Sequence, residues 1–268
     1  MEVKRYDNQC CLIDSAILKA DEYCFSVLAR ILEGECRLTL TDNERIIVCH
    51  SSDPYPVWIW HPDDVTEQEM ESAYQIAKEY FGFDGRYKFN VKYDLANYFI
   101  KRSGEEREAM KISMNMLAYS CPLPVSPKKE VCGACTLVRM EDVELAAQYR
   151  NQFYEDAGIE KTDMETHRQK ARDMIAEQRL YFWCDEFGDK VAMAGFSVSG
   201  DKSCINNVYT RRDKRRRGYA ANLVYELTQL VKKAGREPIL YTDADYAASN
   251  ACYESIGYIK RGSLCTVG

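Results

Sequence analysis

Six basic side chains stand within seven consecutive positions of the stretch Tyr209–Leu227, whose sequence is YTRRDKRRRGYAANLVYEL. They all lie between Arg211 and Arg217, and Gly218 follows them directly. A cationic cluster of this kind has two chemical uses. It can hold many phosphates along a nucleic acid, or it can hold the phosphates of one small molecule. The residues that follow the cluster favour one of these uses.

An amphipathic helix is predicted directly after the glycine. Its apolar residues recur at the spacing of one buried face: Leu223, Val224, Leu227, Leu230, Val231 and Ala234. The first N–H groups of a helix have no partner inside it, and the helix dipole favours negative charge there. Gly218 lets a phosphate approach the backbone, and the small Ala220 keeps the first turn open. This order of cationic loop, glycine and helix predicts a pyrophosphate site, with Arg211 and Arg212 facing water.

Two segments resemble a known family. The pattern Arg215-x-x-Gly218-x-Ala220 resembles the acetyl-CoA loop of the GNAT superfamily of N-acetyltransferases. The segment SNACYESIGY (249–258) resembles the second GNAT element, in which an Asn and a Tyr lie on the helix after the next strand. The longer stretch ILYTDADYAASNACYESIGY is similar to predicted GNAT acetyltransferases that carry an extra N-terminal domain. The resemblance covers residues 133–268 well and the first 120 residues poorly.

The resemblance implies acetyl-CoA as co-substrate. It implies that the strand before the basic run aligns the thioester. It also implies that the loop and the helix start hold the phosphates, and that one Asn contacts the cofactor arm. The cofactor-binding residues expected are Val208, Tyr209, Thr210, Arg215, Arg216, Arg217, Gly218, Tyr219, Ala220 and Asn250. It also implies that this strand diverges from its parallel neighbour, so that the pantetheine arm takes the hydrogen bonds the neighbour leaves open.

Acetyl transfer to an amine needs a proton donor for the leaving thiolate and a base for the attacking ammonium. Tyr253 is the expected donor, because of its place in the motif, and it shares a helix face with Asn250. Asp243 is the preferred base because it ends a strand. The base stays open among Asp243, Asp245, Glu155 and Asp156.

A covalent acyl-cysteine route through Cys204 or Cys252 is disfavoured, because neither residue has a nearby histidine in the sequence to activate it. The single CxxC motif, Cys132–Cys135, has no second CxxC, and His50, His61 and His167 are scattered. A zinc site needs about four ligands, so the sequence indicates neither a metal nor a redox centre.

Composition narrows the class of protein. The chain has 268 residues, a net charge of −6 and 46% hydrophobic residues, and the basic run is a local island on an acidic chain. With no secretory or membrane-spanning pattern, we expect a cytoplasmic protein with reduced cysteines, an amine substrate (small molecule or peptide) and no nucleic-acid or membrane partner. The alternative is a non-catalytic module that uses the same loop to bind CoA, an RNA or a protein partner. Neither the acceptor nor the oligomeric state is readable from the sequence.

Proline punctuation divides the chain into an N-terminal domain (1–120), a linker (121–134) and an acetyltransferase domain (135–268). The third segment is predicted as an α+β, GNAT-like sheet, mixed but mostly antiparallel and flanked by helices. Its strands are predicted at 135–140, 180–185, 190–199, 204–210, 238–243 and from 258, and its helices at 141–156, 163–178, 219–234 and 249–256.

The N-terminal domain is predicted as an α/β domain that is a degenerate copy of the same fold. Its predicted helices are 12–32, 66–81 and 95–101, and its predicted strands are 36–40, 45–50, 56–60, 87–93 and 111–118. FNVKYDLANYFI (89–100) loosely echoes LYTDADYAASNACY (240–253). Because the first segment lacks the Arg-x-x-Gly-x-Ala pattern, we expect it to shape the acceptor cleft or to hold a partner rather than to form a second catalytic centre.

Overall fold

The computed structural model describes residues 4–5, 16–34, 37–42, 44–106, 110–159 and 162–268. Their contacts divide the chain into two compact units. Unit 1 comprises Met1–Ala118, Thr242–Asp245 and Arg261–Gly268, and unit 2 comprises Tyr119–Tyr241 and Tyr246–Lys260. The segment predicted as a linker, 121–134, therefore lies wholly inside unit 2, and the C-terminal part of the chain contributes to both units.

The helices and strands follow the predicted order closely. In chain order they are β1 (Lys4–Arg5), α1 (Ala16–Ala20), α2 (Ser26–Glu33), β2 (Leu38–Thr41), β3 (Ile47–His50), β4 (Val57–Trp60), α3 (Glu67–Phe81), β5 (Phe89–Val91), α4 (Tyr93–Glu105), β6 (Ile112–Ser120), β7 (Ala134–Leu137), α5 (Val143–Asp156), α6 (Met164–Ala176), β8 (Leu180–Cys184), β9 (Lys190–Ser199), β10 (Lys202–Thr210), α7 (Tyr219–Lys233), β11 (Glu237–Asp243), α8 (Ala247–Ser255) and β12 (Ile259–Val267). The predicted α+β class, with a mixed and mostly antiparallel sheet, is confirmed.

The prediction of one continuous helix over 12–32 is wrong within the described residues. Helix α1 ends at Ala20, a turn follows, and α2 starts at Ser26. The break buries Phe25, which is 1% exposed and meets the Trp58 ring edge-on at 6.2 Å. It also directs the Asp21 carboxylate to the Trp60 indole N–H at 2.9 Å. Residues 12–15 lie outside the described residues.

In unit 2 the strands run in the order β11-β10-β9-β8-β7. Strands β7 to β10 pair antiparallel, and β10 pairs parallel with β11. Tight turns join β8 to β9 and β9 to β10, whereas α5 and α6 connect β7 to β8. Helix α7 makes the crossover and buries Leu223, Val224, Leu227 and Val231, whereas Leu230 of the predicted stripe is 38% exposed. Each fully buried aliphatic side chain contributes about 1.5–3 kcal/mol, so this face fixes the helix beside the sheet.

Unit 1 repeats this order of elements. Strands β2, β3 and β4 form an antiparallel meander, α3 crosses over, and β5 pairs parallel with β4. The last strand of the chain, β12, pairs antiparallel with β5 through Cys265 and Val91. The core between α3, α4 and this sheet is rich in aromatic rings, among them Tyr74, Phe89 and Phe99. The repetition is the one expected of a copy of the same fold.

The start of the crossover helix is where unit 1 differs chemically from unit 2. Helix α3 begins with a complete capping box, in which Thr66 accepts from the Glu69 N–H and Glu69 accepts from the Thr66 N–H. Glu69 also accepts from the Arg45 guanidinium at 2.5 Å. Two N–H groups at the start of α3, those of Thr66 and Glu69, are therefore satisfied by the protein's own side chains, and an acidic side chain occupies the helix start.

We expect Glu69→Gln to reduce the free energy of unfolding by about 1–3 kcal/mol at neutral pH. The charge-assisted hydrogen bonds from Arg45 lower the pKa of Glu69 to about 2 from its ordinary 4.5. The contribution of this carboxylate is therefore fully present above pH 4.5 and is lost as the pH falls towards 2.

Chemical denaturation at neutral pH and at acid pH measures this effect. Glu67→Gln, in the same helical turn but outside the capping box, is the matched control, and we expect it to change stability by less than about 0.5 kcal/mol. Equal losses in the two variants would contradict the role given to the capping box.

Candidate functional site

Strands β10 and β11 diverge in the middle of unit 2. Their parallel register runs from Lys202 and Glu237 to Ile205 and Leu240 and ends there, although both strands continue. Beyond that point no ladder pair joins the two strands in the described part of the chain. Backbone hydrogen-bonding groups between Ile205 and Thr210 are thereby left for another extended group. The predicted divergence of this strand from its parallel neighbour is present.

Strand β10 also carries a bulge on its other side. Asn206 pairs with Gly195 of β9, but the next pair is Tyr209 with Met193, so the register shifts between them. Asn207, inside the bulge, has a φ of 52°, in the left-handed region. A bulge of this kind bends the strand and re-aims its peptide groups. It lies next to Val208, Tyr209 and Thr210, the residues expected to align a thioester.

Helix α7 begins without the caps seen on α3. Its N-cap is Gly218, with φ 101° and ψ −6°, and none of the described side chains caps the helix start. The backbone angle favours glycine, and a Cβ on Gly218 would lie 3.1 Å from a Val131 methyl and 3.5 Å from the Lys129 carbonyl, so Val131 would have to shift slightly. The amides of Tyr219 and Ala220 thus head a helix of fifteen residues that is open to an anion.

The segment 121–134 packs on this helix start, which the sequence did not reveal. Asn222, 8% exposed, donates from its side-chain amide to the Lys129 carbonyl at 2.8 Å and to the Gly218 carbonyl at 2.9 Å. Further along, Ser126 contacts the Tyr225 hydroxyl at 3.2 Å. The proline-rich segment is therefore a brace along α7. Its prolines predicted a linker between two domains, but no local signal identifies α7 as the surface it covers.

Most of the cationic run is paired with carboxylates, although Arg211 and Arg212 also reach solvent, with 34% and 58% of their side chains exposed. The ion pairs are Arg211 with Asp213 at 2.9 Å, Arg212 with Asp156 at 2.8 Å, Lys214 with Asp185 at 3.0 Å, and Arg215 with Asp156. In the described part of the chain, Arg216 and Arg217 have no carboxylate partner. A surface whose cations are neutralised internally is poorly suited to a polyanion.

Arg215 holds the loop to the rest of unit 2. Its guanidinium donates to the Thr210 carbonyl at 3.1 Å and to Asp156, and it lies 5.8 Å from the centre of the Tyr209 ring. Burial opposes ionisation of Asp156, but the hydrogen bonds and charges of Arg212 and Arg215 outweigh it and lower the pKa of this carboxyl. A carboxylate engaged in this way is a poor general base.

Tyr253 and Asn250 lie together on α8. Tyr253 is 8% exposed and its ring meets the Tyr258 ring edge-on at 6.1 Å, while Asn250 is partly buried. Burial raises the pKa of Tyr253 above its ordinary value, and a hydrogen bond with Ser249 offsets part of that rise. The hydroxyl therefore carries its proton at neutral pH and is available as a hydrogen-bond donor, although the raised pKa makes it a weaker acid than an exposed tyrosine.

Asp243 ends β11 and belongs to unit 1. Its carboxylate accepts from the Asp245 N–H at 2.9 Å, which shapes the turn after the strand. Asp245 in turn accepts from the Asn115 side-chain amide at 2.9 Å, and Asn115 accepts from the Tyr93 hydroxyl at 2.8 Å. This network holds both carboxylates at defined positions.

Cys252, beside the Asn250 and Tyr253 motif, is a poor nucleophile. Burial raises the pKa of the Cys252 thiol to about 11, so it stays protonated at neutral pH. The described residues contain no group of three His, Cys, Asp or Glu side chains placed to hold a metal ion. None of the described helices has the length and apolar character needed to span a bilayer.

Comparison with known proteins agrees with this geometry. Residues 184–267 match the family described as FR47-like protein. The whole chain is similar in fold to a Drosophila protein (TM-score 0.68, 13% identity, 99% of this chain and 97% of the other). A GCN5-related N-acetyltransferase from Sphaerobacter thermophilus is also similar, with a TM-score of 0.66 and 13% identity over 99% of this chain and 94% of the other. Another, from Kribbella flavida, has a TM-score of 0.62 and 17% identity over 93% of this chain and 95% of the other. No curated protein matches.

The fold and the site define a two-unit α+β protein with a diverging pair of parallel strands and an uncapped helix behind a cationic loop. Residues 184–267 thus match the FR47-like family, and the fold of the chain is similar to that of GCN5-related N-acetyltransferases. The structural similarity extends over nearly the full length of the chain, including the first 120 residues, where the sequence resemblance is poor.

We expect Asp156→Asn to destabilise the protein by about 1–2 kcal/mol at neutral pH, because it removes the carboxylate shared by Arg212 and Arg215. Since the pKa of Asp156 is lowered in the folded state, its contribution is present above its ordinary pKa of 3.8 and is lost as the pH falls below that value. Denaturant unfolding of variant and wild type should therefore converge at acid pH.

Glu155→Gln provides the control for this prediction, because Glu155 lies in the same turn and its side chain is 41% exposed. Its carboxylate pairs with Arg212 at 3.3 Å and accepts from the Asn151 amide at 3.0 Å. An exposed pair of this kind contributes less than about 1 kcal/mol. If Asp156→Asn were no more harmful than Glu155→Gln, the anchoring role of Asp156 would be wrong.

Proposed function

We propose that this protein is an acetyl-CoA-dependent N-acetyltransferase that moves the acetyl group to an amine by direct attack in a ternary complex. The observation that carries the proposal is the pairing of β10 with β11, which ends at Ile205 and Leu240 beside a helix whose first amides are uncapped. The gap between β10 and β11 offers backbone hydrogen bonds to an extended pantetheine arm. The uncapped start of α7 offers amides and a helix dipole to a diphosphate.

The loop would bind the diphosphate mainly through its backbone. Arg216, Arg217, Tyr219 and Ala220 are expected to supply amides or charge, and Gly218 allows close approach. The side chain of Arg215 is engaged with Asp156 and Thr210, so we assign it to holding the loop in shape rather than to direct phosphate contact. Arg216 and Arg217 remain for charge-assisted hydrogen bonds to phosphate oxygens.

The bulge of β10 is the proposed position for the thioester carbonyl. Peptide groups near Val208, Tyr209 and Thr210 would align it and stabilise negative charge on its oxygen as the amine attacks. Asn250 would contact the cofactor arm from α8. Direct attack needs no acyl-enzyme, and the raised pKa of Cys252 argues against one.

Tyr253 is the proposed proton donor to the departing thiolate. A thiol ordinarily has a pKa of about 8.5, below that of a tyrosine, so a strong hydrogen bond with partial proton transfer is the expected contribution. Asp243 is the proposed base that accepts the proton of the ammonium, directly or through water. Asp245 is the second choice, and the ion pairs of Asp156 and Glu155 make these two less suitable.

The proposed substrate is an amine carried by a small molecule or a peptide. The competing function is a module that binds CoA, an RNA or a protein through the same loop without catalysis. The internal ion pairs of the cationic run favour a small phosphorylated ligand over RNA. An RNA binder would show a steep loss of affinity with salt, whereas a CoA site would show a milder slope.

Calorimetry with acetyl-CoA and a thiol-release assay with a panel of amines test the proposal. We expect binding in the micromolar range, and release of free thiol that depends on both acetyl-CoA and an amine. No binding at millimolar acetyl-CoA would refute the proposal. Binding with no thiol release for any amine would favour the non-catalytic module.

A matched pair of glycine substitutions locates the binding site. Gly218→Ala and Gly235→Ala both place a side chain at a positive φ, 101° and 74°, so both should cost about 1 kcal/mol of stability. Only Gly218 lies at the start of α7 against Val131 and Lys129, whereas a Cβ on Gly235 meets nothing within 4 Å. We expect at least about tenfold weaker acetyl-CoA binding for Gly218→Ala alone.

We expect Tyr253→Phe to reduce kcat by about 10- to 100-fold while changing the Kd of acetyl-CoA by less than about threefold. The reason is that the hydroxyl is needed only when the thiolate leaves, whereas the ring packs against Tyr258 in both variants. Tyr258→Phe is the control for loss of a buried hydroxyl. Equal losses in kcat and in affinity for Tyr253→Phe would remove its role as proton donor.

A further inference from the structure

Asn207 marks an unusual point on β10, because it holds a left-handed backbone conformation inside a strand. Its φ is 52°, and it lies between Asn206 and Tyr209, where the register with β9 shifts. Left-handed backbone is unfavourable for residues other than glycine, although asparagine tolerates it better than most. A conformation of this kind persists only where neighbouring groups enforce it.

A buried arginine supplies that enforcement. Arg150, on α5, is 5% exposed and donates from its guanidinium to the Asn207 side-chain oxygen at 2.7 Å. The same terminal nitrogen lies 3.7 Å from the Met174 sulfur, and the guanidinium carbon lies 5.9 Å from the centre of the Tyr154 ring. Burial of a cation is costly, so its retention at this place calls for a reason.

The hydrogen-bond network extends from Asn207 to Asn206 and on to Ser197 of the neighbouring strand β9. Asn207 donates from its amide to the Asn206 side-chain oxygen at 2.6 Å, and Asn206 donates to the Ser197 hydroxyl at 3.3 Å and to the Cys204 carbonyl at 3.2 Å. The side chains of the two bulge residues are thus ordered in one chain of hydrogen bonds that starts at Arg150. A connected network of this kind fixes one arrangement of the peptide groups it surrounds.

We propose that Arg150 is a positioning residue for acetyl transfer: through Asn207 it holds the β10 bulge in the shape in which its peptide N–H groups polarise the thioester carbonyl. The proposal rests on the proposed function of the bulge. It differs from a purely structural role, because the bulge residues lie where β10 has already parted from β11, so that no strand pairs with them on that side, and where the register with β9 shifts. The buried positive charge next to the bulge also favours negative charge on the carbonyl oxygen.

The test is difference infrared spectroscopy of acetyl-CoA labelled with ¹³C at the thioester carbonyl, bound to the full-length protein. A carbonyl polarised by hydrogen bonds absorbs at lower frequency than the free thioester. In the wild type we expect such a shift. In Arg150→Met, which retains volume but loses the charge and the hydrogen bonds, we expect most of the shift to vanish. We expect kcat to fall about tenfold or more, with the Kd of acetyl-CoA within about threefold.

Asn207→Gly keeps the test decisive even if Arg150→Met folds poorly. Glycine adopts the positive φ without strain but removes the link to Arg150, so the same loss of carbonyl shift is expected. The double variant should lose no more of the carbonyl shift than either single variant, because each single variant already breaks the hydrogen bond between Arg150 and Asn207. Arg172→Met, on the exposed face of α6 and paired with Glu165 at 2.8 Å, is the control and should leave the spectrum and kcat unchanged.

The outcomes separate this inference from the function on which it rests. A wild-type carbonyl band in both Arg150→Met and Asn207→Gly, even with reduced kcat or stability, would mean that Arg150 only supports folding and would overturn the inference. In that case the proposed acetyl transfer would stand. If wild-type protein bound no acetyl-CoA at all, the proposed function would fail and the inference with it.

Discussion

The parting of β10 from β11 is the constraint on which the site depends. Parallel strands satisfy each other's backbone groups, and these two do so only as far as Ile205 and Leu240. Beyond that pair the hydrogen-bonding groups of β10 need another partner, because buried backbone groups left unsatisfied are costly. The bulge at Asn207 lies in β10 beyond this pair and redirects the strand. The loop that ends at Gly218 then returns the chain to the start of α7.

The two units show how one order of elements can have two different chemical outcomes. In both, a meander leads through a crossover helix to a parallel strand. In unit 1 the helix start is closed by Thr66 and Glu69, and Arg45 adds a further charge. In unit 2 the corresponding start carries Gly218 and no side-chain cap among the described residues. Among the described residues, the second arrangement has no acidic side chain capping the helix start, so it is the better suited of the two to an external anion.

Much of unit 2 was predictable because its signals are local. The apolar stripe of α7, the tight turn between β8 and β9, and the glycine before α7 each depend on residues close together in sequence. The role of Arg215 was not predictable, because Asp156, which holds it, lies on α5, far away in sequence. The same is true of Arg150 and Asn207, and of the brace formed by residues 121–134 along α7. The break between α1 and α2 was missed because burial of Phe25 against Trp58 is a tertiary contact.

The sequence by itself determined the α+β class, the order of elements in unit 2, and the position of a cationic glycine loop ahead of an amphipathic helix. These depend on backbone propensity and on the period of apolar residues, which act over a few positions. The tertiary structure decided which cations are neutralised, which carboxylates are engaged, and where two parallel strands stop pairing. Those outcomes depend on distances between residues far apart in the chain, and the free energy of an ion pair or hydrogen bond changes steeply with distance and burial.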